Sequence, residues 1–145
     1  MQFAVEHIGL AAADPTRMKD WYVATLGAEL VFSDGKTPPA FFVRLPGGLM
    51  LEIYSSLFTP ETVGDNRAGG WRHLALRVAS IEPARDLLAK RGVEFEPSVK
   101  PAGGGGQVLF FKDVEGNLWH LVQRPDDSPF GRLDSEGRSS LRASA

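Results

Sequence analysis

The sequence predicts an α+β fold of two βαβββ modules, related by a pseudo-twofold repeat and paired into one curved half-barrel sheet with the helices outside. Three observations predict it. The run AVEHIGLA near the start returns as WRHLALRV at Trp71–Val78, with His7 and His73 at matching places. Each run leads into a polar cap, a stretch with helical spacing, a glycine and three short alternating runs. The offsets between the copies stay nearly constant: Asp14 matches Ser80, Gly27 matches Gly92, Gly48 matches Gly116, and Glu52 matches His120. A module this small has a sheet face it cannot cover alone, so two modules must pair.

Taken in order, Phe3–Ala11 alternates as a strand, with Phe3, Val5, His7 and Gly9 on one face. Asp14-Pro15 reads as an N-cap followed by proline at the first helical position, where the missing N–H costs nothing. Met18, Trp21, Tyr22, Thr25 and Leu26 form one helical face, and Gly27 ends it. Strands follow at Glu29–Ser33, Ala40–Leu45 and Leu49–Tyr54, separated by turns rich in Gly and Pro. The second copy begins with the strand Trp71–Ala79. Ser80 caps its helix, whose buried face is Ile81, Ala84, Leu87 and Leu88. Val93–Glu96 reads as a strand and Pro97–Gly106 as a loop. Gln107–Lys112 and Asn117–Gln123 form a hairpin around Asp113–Gly116. The organisation is therefore a first module at 1–56, a linker at 57–70, a second module at 71–124 and a polar surface tail at 125–145.

Composition narrows the function classes. The chain has 145 residues, 43% of them hydrophobic, which is enough for a core. A net charge of −2 gives no electrostatic case for nucleic acid. No apolar run approaches the roughly 18–20 residues that span a bilayer, and MQFAVEHIG does not read as a signal peptide. A cytoplasmic protein with no membrane partner is the expectation. There are no cysteines, so any metal must be held by His, Asp or Glu.

Four residues carry the chemistry: His7, Glu52, His73 and His120, which include every histidine of the chain. Each falls on a predicted strand, two per copy, related by the repeat. A single strand histidine is more often a hydrogen-bonded core residue than a ligand. Four placed symmetrically shift the balance to a site for Zn, Fe, Mn, Ni or Co, which imidazole and carboxylate suit. Phe42, Met50, Tyr54, Trp71, Arg77 and Phe110 are candidates to line a substrate pocket, with ordinary core or sheet edge the alternative for each. Arg44, Arg72, Arg77 and Lys112 are candidates to neutralise a carboxylate substrate, with solvated sheet edges the alternative. The run Gly103–Gly106 lacks the Lys-Ser/Thr pair of a phosphate loop and precedes a strand, so it fits a flap or a loose connection.

The stretches EHIGLAAADPTRMKDWYVATLGAELV, LMLEIY, WRHLALRVASIEPARDLLAKRGVEF and KDVEGNLWHLVQ together resemble the vicinal oxygen chelate superfamily, the glyoxalase/bleomycin-resistance/dioxygenase group. The resemblance covers Phe3–Gln123. It implies His7, Glu52 and His73 as metal ligands, with His120 where the family usually has Glu. Val114 stands in place of the usual Pro in the closing turn. In glyoxalase I and methylmalonyl-CoA epimerase the closing Glu takes part in proton transfer, and in extradiol dioxygenases it completes the iron triad. Neither activity carries over directly to three histidines and one glutamate. The resemblance implies a metal-dependent enzyme that binds a small oxygen-bearing substrate and stabilises its enolate-like anion, of lyase or isomerase type. Glu52 is the candidate base as the only carboxylate of the four, although the family more often uses the closing position. The alternatives are an oxygen-dependent dioxygenase at the same metal and a metal-free binding protein of the bleomycin-resistance type. The modules pair within one chain or by exchange in a homodimer.

Overall fold

The computed structural model describes residues 1–134 and the backbone of residues 139–140. The chain divides into two compact units between Glu61 and Thr62. Each holds one four-stranded mixed sheet and one α-helix, so the α+β fold of two βαβββ modules is the one observed. No helix among the described residues is long and apolar enough to cross a membrane.

The first unit runs β1 (Ile8–Ala12), α1 (Pro15–Leu26), β2 (Glu29–Ser33), β3 (Phe41–Arg44) and β4 (Met50–Ser55). Its sheet order is β1-β4-β3-β2, with β1 parallel to β4 and the other pairs antiparallel. The cap of α1 is as the sequence predicts: Asp14 accepts from Arg17 N at 2.9 Å, Pro15 starts the helix, and Gly27 closes it in the left-handed region. Met18 and Tyr22 of α1 are buried with Ala12, Phe41, Val43, Leu51 and Ile53, the alternate residues of the sheet. The opposite alternation therefore leaves Gly9, Phe42, Glu52 and Tyr54 on the other face. Strand β1 is shorter than expected. β4 offers register partners only from Ile8 onward, so Phe3 and Val5 stay exposed rather than pairing.

The second unit repeats the plan with β5 (His73–Val78), α2 (Ile81–Lys90), β6 (Lys100–Pro101), β7 (Gln107–Lys112) and β8 (Leu118–Gln123), in the order β5-β8-β7-β6. Trp119 and Phe111, both 2% exposed, stack with ring centroids 6.2 Å apart beneath Ile81 and Leu88 of α2. Three local expectations are corrected here. Leu87 is half exposed, because a ten-residue helix buries only the narrow line through Ile81 and Leu88. Ser80 holds the N-cap position but donates to Glu82 Oε2, and the first helical N–H is met instead by Gln123 Oε1 at 2.9 Å. The strand expected at Val93–Glu96 shrinks to a bridge between Phe95 and Phe111 and a bond from Glu96 N to Phe110 O. Pro97 has no N–H to continue it, and the edge resumes as β6 inside the expected loop.

The segment after β8 is held down rather than free. Arg77 donates to Phe130 O and Gly131 O at 2.8 and 2.6 Å. Arg124 donates to Gly103 O and Gly105 O and lies 3.9 Å from the Phe130 ring. That ring fills the space where a side chain on Gly104 would stand. The two-residue strand β9 (Arg132–Leu133) then pairs with β10 (Ser139–Ser140). The expected tail at 135–138 and 141–145 lies outside the described residues.

Candidate metal centre

The register of each sheet decides which side chains meet. In the first unit Glu52 stands between Gly9 and Phe42 on its neighbouring strands. In the second, His120 stands between Ala75 and Phe110. His7 lies two residues before Gly9 and His73 two before Ala75, so each histidine falls on the same face as its partner. The repeat seen in the sequence thus holds at the level of individual strand pairs. Even the aromatic neighbours match: Phe42 meets the His7 ring edge-on at 5.2 Å, and Phe110 meets the His73 ring edge-on at 6.1 Å.

In the first pair, His7 Nε2 lies 3.3 Å from Glu52 Oε2, and His7 Nδ1 lies 3.0 Å from Glu6 Oε1. Two ligand atoms on ~2.1 Å bonds to one tetrahedral ion stand roughly 3.4 Å apart, so the first spacing suits shared coordination. In the second pair, the His73 and His120 ring centroids are 4.7 Å apart, and Phe110 stacks on His120 at 4.9 Å. His73 Nδ1 lies 2.8 Å from Asn66 Oδ1, and His120 Nδ1 is buried with no hydrogen-bond partner. The structure thus brings His7 to Glu52 and His73 to His120. Among the described residues no three His, Asp or Glu side chains form one group able to hold a metal ion.

The donor types within each pair suit a divalent metal on these grounds. Glu6 and Asn66 occupy one ring nitrogen each on His7 and His73 and leave the other for coordination, the usual arrangement around metal-binding imidazole. An unpaired buried ring nitrogen on His120 costs roughly 1–3 kcal/mol, which a coordinating role would offset. Burial, with His73 and Arg124 nearby, lowers the His120 pKa from 6.5 to about 4. The consequence for metal-free protein has a definite sign. Between about pH 6.5 and 4 the unfolded chain binds a proton at His120 that the folded chain refuses. Stability should therefore fall as the pH falls through that window, by on the order of 3 kcal/mol in total. Urea denaturation in chelator at pH 7 and pH 4.5 measures it, and His120→Leu should lose this component of the dependence.

The other sequence candidates separate. Met50 and Tyr54 share the Glu52 face, half-buried and 40% exposed respectively. Trp71 precedes β5 and is 93% exposed. Arg77 lies on the His73 face but is engaged by Phe130 O and Gly131 O. Arg44 lies 3.4 Å from Glu29, and Arg72 reaches Thr62 O and Asp65 O. Sequence reasoning missed Asn66, whose only signal was an amide in a polar run a few residues before the strand that carries His73.

Each of the two modules thus carries a histidine at, or one residue before, the start of its first strand. The profile of the Glyoxalase/Bleomycin resistance protein/Dioxygenase superfamily matches residues 4–121, and the chain belongs to that superfamily. It is 28% identical over 115 residues to YwkD of Bacillus subtilis (strain 168), covering 77% of this chain and 90% of that protein. It is similar in fold to the glyoxalase family protein of Enterococcus faecalis, with a TM-score of 0.70, 28% identity, and 83% and 97% of the two chains covered. A variant of the genomically encoded fosfomycin resistance protein FosX of Listeria monocytogenes, solved with Mn(II) and 1S,2S-dihydroxypropylphosphonic acid, shares the fold. There the TM-score is 0.63 at 20% identity, over 86% of this chain and 93% of that one.

Proposed function

We propose that the protein is a metal-dependent enzyme of lyase or isomerase type, acting on a small oxygen-bearing organic substrate at one divalent ion held by His7, Glu52, His73 and His120. The observation that carries this reading is the shared register, in which Glu52 opposite Gly9 and His120 opposite Ala75 each stand beside a histidine. The family membership supports it, and so does the Mn(II) bound by FosX. The two pairs come together within one chain or between two copies in a homodimer, in a cytoplasmic setting. The ion, of Zn, Fe, Mn, Ni or Co, supplies Lewis acidity toward a substrate oxygen.

The residues divide the remaining work. The histidines hold and orient, because each commits a ring nitrogen to the site and His7 and His73 tie the other to Glu6 and Asn66. Glu52 is the single carboxylate of the set and has a second oxygen with which to accept a proton from the substrate. Phe42 and Phe110 flank the two pairs.

Elemental analysis of protein purified without chelator tests the reading. The expected result is about one divalent ion for each four-residue set. Protein that carries no metal and takes up neither Mn(II) nor Zn(II) would instead favour a metal-free binding protein.

A further inference from the structure

We infer that Asn66 is a positioning residue that fixes the tautomer of His73, and that the segment 62–72 is built to hold it there; the consequence for metal binding, though not the inference itself, rests on the proposed function. His73 Nδ1 and Asn66 Oδ1 are 2.8 Å apart. With the amide oxygen accepting, the imidazole proton sits on Nδ1 and Nε2 presents its lone pair. Without that acceptor both neutral tautomers compete, and the Nε2–H form cannot coordinate through Nε2.

The segment is too heavily braced for a simple connection. Asp65 Oδ1 accepts from Arg67 N and Nε, each at 3.0 Å, and Oδ2 accepts from Arg67 Nη2. Asp65 N donates to Thr62 O at 3.0 Å, and Ala68 N to Asp65 O at 3.3 Å. Arg72, beside His73, ties the segment to the start of β5 by donating to Thr62 O and Asp65 O at 3.3 and 3.4 Å. Gly64 has φ +74°, and a Cβ there would stand 2.6 Å from Gly116 O and 3.0 Å from Lys112 Cε. The segment is thus seated on the Asp113–Gly116 turn that leads into β8, the strand of His120. The turn is itself fixed by Asp113, which accepts from Glu115 N and Asn117 N. One bracing network therefore joins the backing of His73 to the strand of its neighbour.

The direct test is ¹⁵N-histidine long-range ¹H–¹⁵N correlation on the full chain in chelator at about pH 8, above the ordinary histidine pKa. The His73 signals are assigned by their loss in His73→Gln. Wild type should show His73 protonated at Nδ1. Asn66→Leu should shift it to a mixture or to the Nε2–H form, whereas Asn66→Asp, which keeps an acceptor, should hold the wild-type form. A wild-type ring protonated at Nε2, or an unchanged pattern in Asn66→Leu, would overturn the inference. Gly64→Ala gives a second check, since displacing the segment should loosen the same tautomer while leaving residue 66 intact. Mn(II) titration then reads the consequence: a 10–100-fold weaker Kd in Asn66→Leu is the size expected for lost outer support of a ligand. If wild type shows the Nδ1–H form but binds no Mn(II) or Zn(II), the proposed function fails and the role of Asn66 stands.

Discussion

Glu52→Gln is expected to lower kcat by about 10²–10⁴-fold, the loss typical of a removed general base, while metal content and substrate affinity stay near wild type. Proton abstraction needs a group with a free lone pair and freedom to move. His7 lies between Glu52 and Glu6, His73 is tied to Asn66, and His120 is buried under Phe110. In the proposed site each ring would give its remaining nitrogen to the metal, which leaves no imidazole lone pair for the substrate proton. Glu52 is about one-third exposed at its side chain and meets His7 through one oxygen, so the other is available to substrate. Glutamine keeps the shape and one carbonyl oxygen toward His7 and loses only basicity. Steady-state kinetics on a substrate found by screening, with metal content measured in parallel, make the comparison. Wild-type kcat in a metal-loaded variant would remove Glu52 from the role.

How far the sequence disclosed this site follows from which forces placed each part. The repeat was legible because period-two alternation and helix caps are local, so β2 and β7 fall at their expected bounds and Asp14 caps α1. It placed all four candidates in one set, and the register shows His7 beside Glu52 and His73 beside His120. What stayed hidden depends on groups distant along the chain. Arg77 looked like a candidate for an anion because nothing local shows that Phe130 and Gly131 will offer it carbonyl oxygens. Asn66 looked like filler because its partner is seven residues away across a turn. The edge strand failed at Pro97 because an outermost strand gains support from one neighbour only.

His120→Leu is expected to move two measurements in opposite directions, and that opposition distinguishes a ligand from a core histidine. His120 is 9% exposed, with a buried Nδ1 that no group among the described residues satisfies. Leucine fills similar space beneath Phe110, removes that unpaired nitrogen, and should leave stability unchanged or raise it by roughly 1–3 kcal/mol at pH 7. Metal binding should weaken at the same time. Apparent binding free energies of about 10–16 kcal/mol for four-ligand zinc sites imply something like 3 kcal/mol per ligand, or roughly 10²-fold in Kd. A histidine kept only for packing would show the reverse, with lost stability and unchanged affinity. Urea denaturation in chelator and titration with Mn(II) or Zn(II) read the two quantities independently. Unchanged affinity in a well-folded His120→Leu protein would reduce the proposed set to His7, Glu52 and His73.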